Sequence, residues 1–313
     1  LPTYVSGLIG APWVNAGAMT NKGVEFTLNT RNILTHDFTW TSGLTFSINR
    51  NEVTKLYSES SAISGINGNE TLTYTMVGEP VGQFYGYKVI GMFKEESDFY
   101  KKDADGNFQL DEAGNRIRIA IPKGQQISKN GIWVGDYIYE DLHEDGVIDE
   151  KDRTFLGNPA PKFTFGFNNY FAYKGFDLNI FLNGSVGNKA VNLIRRTFTD
   201  PMRNSNLLKE ATDIALIGMH DPEVGDEELS NVYIVNADRA KVQRVTTSSA
   251  NDNNRISSRF IEDASYLRIK NISLGYTFPR KWLRHLQIDN IRLYVNIQNL
   301  CTISGYKGYD PEI

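Results

Sequence analysis

The stretch from Pro161 to Gly187, PKFTFGFNNYFAYKGFDLNIFLNGSVG, carries the pattern on which the rest of the chain is read. Every second residue from Phe163 is Phe163, Phe165, Phe167, Asn169, Phe171 and Tyr173, interleaved with Thr164, Gly166, Asn168, Tyr170, Ala172 and Lys174. After Lys174-Gly175 the pattern restarts as Phe176, Leu178, Ile180, Leu182, Gly184 and Val186, against Asp177, Asn179, Phe181, Asn183 and Ser185. Alternation of period two predicts two strands, each with one apolar and one polar face. Lys-Gly between them suits a tight hairpin, because glycine supplies the positive φ such turns need. Each run covers about 11 residues, roughly what a tilted strand needs to cross a bilayer. A large β-sandwich hairpin would show the same alternation, so recurrence elsewhere in the chain has to decide.

The pattern does recur. Val24, Phe26 and Leu28 oppose Glu25, Thr27 and Asn29; then Phe38, Trp40, Leu44, Phe46 and Ile48 alternate with Thr39, Thr41, Gly43, Thr45, Ser47 and Asn49. The aromatics of this second hairpin lie beside its short turn, where a membrane-interface girdle belongs. Ile291, Leu293, Val295 and Ile297 oppose Arg292, Tyr294, Asn296 and Gln298. In Tyr266–Phe278 the apolar parity changes between Ile269 and Ile272, which predicts a bulge near Lys270-Asn271. Gln83–Phe93 reads as a further, less regular strand and Ile132–Tyr139 as a short one. Residues 50–82 read as a long polar loop, 94–130 as loop or a small protruding hairpin, and 188–265 as mostly polar with an amphipathic helix near 207–217.

Short connections after Thr30 and at Lys174-Gly175 alternate with long ones after Asn49 and Gly187, the signature of an outer-membrane barrel. The expected fold is therefore all-β, an antiparallel transmembrane β-barrel segment (an incomplete barrel) with long extracellular loops. Gln83–Phe93 conflicts with this. As a barrel strand it demands another strand before Phe163 and places 94–130 on the short-turn side.

Composition narrows the function. The 313 residues carry 33 Lys+Arg against 37 Asp+Glu, a net charge of −4 that argues against nucleic-acid binding. One cysteine, Cys301, excludes an internal disulfide framework and a cysteine-rich zinc site. The uncharged run before Asn21 contains two prolines and three glycines, unsuited to a membrane helix, and shows no basic leader. The mean hydropathy of −0.38 is compatible with a barrel, whose lumen face and loops are polar. The four histidines (His36, His143, His220 and His285) are scattered, and no nucleophile elbow or P-loop occurs. Acidic pairs at Glu95-Glu96 and Glu227-Glu228 read as solvated loop charges, so no enzyme is expected.

One constellation suggests a cation. Asp141-Leu-His-Glu-Asp-Gly-Val-Ile-Asp-Glu-Lys-Asp152 fits a calcium-loop template, with Asp141 first, Asp145 fifth, Gly146 at the bend, the Val147 carbonyl seventh and Asp152 last; Asp149 completes the candidate set. His143 stands where Asp or Asn is expected, and Asp152 replaces a longer Glu. The expectation is a weak, structural calcium site. On the strands, Glu25, Tyr170, Asp177, Asn179, Arg292, Tyr294 and Asn296 are the candidates for a polar lumen that handles substrate.

Several pieces, in order, resemble the C-terminal part of the SusC/RagA family of TonB-dependent outer-membrane transporters. They are Asn21-Lys-Gly-Val-Glu25, Val77-Gly-Glu-Pro-Val-Gly-Gln-Phe-Tyr-Gly-Tyr87 with Gly91-Met-Phe93, and Gly135-Asp136 leading into Asp141–Arg153. They continue as Gly157-Asn-Pro-Ala-Pro161 with the Phe-rich hairpin, Ser265-Tyr-Leu-Arg-Ile-Lys-Asn-Ile-Ser-Leu-Gly-Tyr276, and Asn299-Leu300 followed by Gly308-Tyr-Asp-Pro-Glu312. The resemblance implies a closed barrel of about 22 strands in the Gram-negative outer membrane, with a plug domain and a TonB complex. It also implies a SusD-like lipoprotein lid and import of glycan or peptide fragments. Residues 1–313 are expected to be the C-terminal portion of such a barrel, without the plug and ending before its last strand. The alternative is a secreted, calcium-stabilised all-β carbohydrate-binding or adhesin module.

Overall fold

A computed structural model describes residues 17–57 and 62–312. The uncharged run before residue 17, residues 58–61 of the expected 50–82 loop, and Ile313 lie outside the described residues. Six strands form one sheet: β1 (Ala18–Leu34), β2 (Phe38–Lys55), β3 (Phe163–Tyr173), β4 (Phe176–Val186), β5 (Tyr266–Thr277) and β6 (Arg292–Ser304). They are hydrogen-bonded in chain order, each antiparallel to the next.

The register explains why alternation in sequence becomes two chemically distinct surfaces. Residues directly opposite in an antiparallel pair share a face. One rung runs Leu28–Leu44–Phe167–Leu182–Ile269–Cys301 across all six strands, and the adjacent rung runs Thr27–Thr45–Gly166–Asn183–Arg268–Thr302. The first face is apolar almost throughout and the second polar. The β3–β4 turn is Lys174-Gly175 as expected, both residues with positive φ (43° and 92°), as a two-residue primed turn requires. The bulge also falls where the parity change placed it. Pairing shifts between Ile269 and Asn271, so Lys270 is the extra residue and Ile269 and Ile272 return to one face.

Asn169 interrupts the apolar row and is satisfied locally. Its Oδ1 accepts from Trp40 Nε1 at 3.0 Å and from Ser42 Oγ at 2.8 Å. A lone amide facing hydrocarbon would cost several kcal/mol on the order of a lost hydrogen bond; the paired one keeps the row intact.

All short connections lie at one end of the sheet. Lys174 N donates to Asp37 O across two of these turns, and the β5–β6 link (residues 278–291) sits at the same end. Residues 56–162 and 187–265 both emerge at the other end. The strand expected over Gln83–Phe93 is not part of this sheet. It divides at Lys88 into Gln83–Tyr87, which pairs with Arg153–Gly157 and Glu70–Thr75, and Val89–Met92, which pairs with Tyr137–Tyr139. This removes the parity conflict: β2 runs up, the whole 56–162 excursion stays above, and β3 runs down.

The two excursions fold together into a cap. The expected 50–82 loop contains the end of β2 and two further strands, Ile63–Asn67 and Glu70–Thr75. The helix expected over 207–217 is reduced to a single 3-10 turn at Lys209–Asp213, because the chain beyond it is captured by neighbours: Lys241 N and Val242 N donate to Asp213 O, and Ala215 N to Val242 O. Tertiary pairing overrides the local preference. The α-helix in this region is α1 (Leu193–Phe198), capped by Asn192, whose side chain accepts from Arg195 N at 2.9 Å. Residues 100–118 do protrude, held by a ring of backbone bonds in which Lys101 N donates to Ile117 O, Ile117 N to Gln109 O and Gln109 N to Lys101 O.

The dry core of the molecule sits in this cap. Phe93, Phe99, Ile132, Trp133, Val134, Val232 and Ile234 pack together, with the Phe93 and Phe99 rings stacked at 4.0 Å. Beside them Asp136 and Arg244, both buried, form a bidentate pair at 2.9 and 3.1 Å. Arg244 also donates to Lys129 O and Gly131 O, while Asp136 accepts from Trp133 N and Asn253 Nδ2. Every charged atom there has a partner, so removal of either one strands the other. Arg244→Ala is expected to destabilise the cap by on the order of 3–5 kcal/mol and to open 129–137 and 244–253 to protease together. Cleavage of one segment without the other would contradict this coupling.

Candidate functional site

The seven lumen candidates fall on one face. Glu25 pairs with Ser47, Tyr170 with Asn179, and Asp177 with Gly275, which in turn pairs with Tyr294; Asn296 pairs with Ser273, and Arg292 with Thr277. All belong to the polar rungs. Two of them make direct contact: Arg292 Nε and Nη2 donate to Asp177 at 3.1 and 2.6 Å, and the guanidinium lies 5.2 Å from the Tyr294 ring centroid. This pair spans β4 to β6 over Gly275. A Cβ there would come within 2.5 Å of Arg292 Nη2 and 2.6 Å of Asp177 Oδ1, so the glycine makes room for the bridge. Asn296 Oδ1 accepts from Asn271 Nδ2 at 2.8 Å. Glu25 stands apart on β1. The sequence reading missed Gly275, and missed Arg268 and Phe181 on the same face.

The apolar face is bordered by aromatics at both ends. At the short-turn end Trp40 stacks on Phe171 (5.7 Å), Phe176 lies tilted against Tyr276 (4.5 Å), and the row continues through Phe278 to Trp282. Toward the cap, Phe163 lies 5.3 Å from Phe46 and 6.4 Å from Phe165. The eight steps from Phe163 to Phe171 span about 27 Å along the strand and about 21 Å at a tilt near 40°. That is close to the apolar band of an outer-membrane barrel, roughly 25 Å.

The Asp141–Asp152 loop is closed by its own backbone. Asp152 is buried, and its carboxylate accepts from Leu142 N (2.9 Å) and Asp149 N (2.8 Å). Asp149 accepts from Lys151 N, Asp145 from Val147 N, and Asp141 Oδ2 from Gly146 N. One oxygen, Asp141 Oδ1, is buried without a partner, and Lys101 Nζ stands 3.9 Å from its sister oxygen. Among the described residues no three acidic, His or Cys side chains converge as a metal site. In this conformation Asp141, Asp145, Asp149 and Asp152 each accept at least one backbone amide, and their carboxylates do not gather around a common centre as a calcium shell requires.

A second charged cluster lies in the cap. Arg195 bridges Glu210 and Glu262, and its hydrogen bonds hold the Glu210 carboxyl below its ordinary value. Arg259 lies 3.8 Å over the Tyr137 ring, whose hydroxyl burial pushes up to about 12.

No family model matches the chain. TonB-dependent receptor P3 of Formosa agariphila is 32% identical over all of this chain and 27% of its own length. TonB-dependent receptor SusC of Bacteroides thetaiotaomicron is 25% identical over 96% of this chain and 24% of its own length. The structure of the RagAB peptide transporter superposes on 99% of this chain and 28% of its own with a TM-score of 0.68 at 22% identity, a likeness of fold. The chain belongs to the SusC/RagA family of TonB-dependent receptors. It spans 24 to 28% of the length of these curated relatives. Membership places it in the outer membrane, and the sheet is a section of barrel wall.

Calcium added to the full-length receptor is expected to leave amide exchange across 141–152 unchanged, whereas Asp152→Ala should speed exchange at Leu142 and Asp149 severalfold. Calcium-dependent slowing that Asp145→Ala abolishes would instead assign the loop to the metal.

Proposed function

We propose that this chain is a section of the barrel wall and outer cap of a TonB-dependent nutrient importer. The observation that carries the reading is the sheet's division into a continuous apolar face and a continuous polar face, with every long connection folded at one end. The apolar face, girdled by aromatics, meets lipid. The polar face lines the bore, where Tyr170, Asn179, Tyr294 and Asn296 offer hydrogen bonds and ring faces to a passing solute. Asp177 and Arg292 neutralise each other and hold three strands in register at the periplasmic end. The role is passage and recognition, without a chemical step at any residue.

The cap at the long-loop end faces outward. A SusD-like surface lipoprotein is the partner proposed for it, by analogy with the relatives' assemblies, and coupling to the TonB complex is assigned to the remainder of the receptor. The solute is a glycan or peptide fragment. The polar face mixes amides, phenols and charged groups, among them the mutually compensated Asp177 and Arg292, a set that suits either.

In the full-length receptor, alanine at Tyr170, Asn179, Tyr294 and Asn296 together is expected to lower uptake severalfold while leaving assembly and surface display unchanged. Unaltered uptake in a correctly assembled variant would remove these residues from the transport path.

A further inference from the structure

After β6 ends at Ser304 the chain stays on the sheet. Residues 305–312 fold back over the polar face at its outer end, where Arg268 of β5 receives them. Arg268 Nε donates to Thr302 Oγ1 at 2.8 Å, and its two terminal nitrogens pair with Asp310 and Glu312. Lys270, the bulge residue, adds a second contact to Glu312 at 3.2 Å. Asp310 also accepts from Glu312 N at 2.9 Å, which sets the two carboxylates side by side. The root of the arm is tied to the cap: Lys307 N donates to Glu262 at 2.9 Å, and the Tyr306 hydroxyl reaches Val191 O at 3.4 Å.

Two cations thus meet two anions, and the central one is covered. The Arg268 side chain is 5% exposed, although β6 beside it is exposed along nearly its whole length. Gly308 allows the tight fold, since a Cβ there would fall 2.3 Å from the Tyr306 ring. Arg268 lies two residues into β5 from the outer end, on the polar rung of Asn183 and Thr302. A barrel closed around that face encloses whatever lies against it.

We propose that residues 305–312 form a fixed arm inside the outer mouth of the barrel, clamped by Arg268, which narrows the passage to large solutes. The inference rests on the polar face being the bore. Without Arg268, Asp310 and Glu312 would face one another with Lys270 as their remaining counter-charge, and like charges at that spacing repel. The two carboxylates would then lose their main hold on the wall.

The test uses the full-length receptor on intact cells, with Cys301 and any other cysteine replaced by Ser and a reporter, Asn296→Cys, deep on the polar face. A small maleimide should label the reporter equally with and without Arg268→Ala. A polyethylene-glycol maleimide should label it severalfold faster in Arg268→Ala. If Arg268→Ala fails to assemble, Asp310→Asn/Glu312→Gln, which keeps the arginine and removes its counter-charges, decides in its place. Equal rates for the large reagent in the assembled variant and its parent would overturn the arm as a constriction, with the bore reading intact. Failure of the small reagent at Asn296→Cys, with labelling of Val295→Cys in its place, would overturn the bore reading and the arm with it.

Discussion

The structure depends on one constraint: a sheet with hydrocarbon against one side must satisfy its backbone within itself and present only apolar side chains outward. In lipid no water is available to pair an orphaned amide, so spanning strands must be hydrogen-bonded to neighbours on both edges. β2 to β5 meet that condition here. β1 and β6 each have one edge with no partner among the described residues, which agrees with a chain matching about a quarter of its relatives' length. The same constraint explains the side chains. The rung through Phe167 is apolar across six strands, and Asn169, the exception in β3, is bonded to Trp40 and Ser42.

With one face proposed to meet lipid and the other a wet bore, the wall has no dry interior of its own. The packed core is displaced into the cap. There two segments distant in sequence, 129–137 and 244–253, are joined by the buried Asp136–Arg244 pair. Such a pair contributes little net stability against an apolar replacement, but it penalises any arrangement that leaves one charge alone. The cap is therefore a folded platform with its own core.

Much of the wall was legible in the sequence, since period two is a local signal. The hairpin bounds 163–173 and 176–186, the primed turn at Lys174-Gly175 and the bulge at Lys270 all follow from spacing and parity. The cap was not legible, because its order is set by contacts far apart along the chain. The strands at Ile63–Asn67 and Glu70–Thr75 have polar compositions, and the 207–217 segment has helical spacing that pairing with Val242 overrides. Among site residues, the polar face could be drawn residue by residue, whereas the Asp177–Arg292 bridge needed Gly275 between its partners. The calcium template was matched in spacing, but spacing carries no information on where carboxylates turn, and here they turn to amides. The Gly308–Glu312 piece was visible as a family motif; its attachment to Arg268 was not.

The most direct measurement is a nitroxide scan along β3, one label at a time from Phe163 to Tyr173, in the full-length receptor in bilayers. Collision with oxygen, which partitions into lipid, should peak at residues 163, 165, 167 and 171. Collision with a water-soluble nickel chelate should peak at 164, 166, 168 and 170. The two profiles should run out of phase with a period of two residues. Profiles in phase, or peaks exchanged between the two sets, would contradict a wall whose apolar face meets lipid and whose polar face lines the bore.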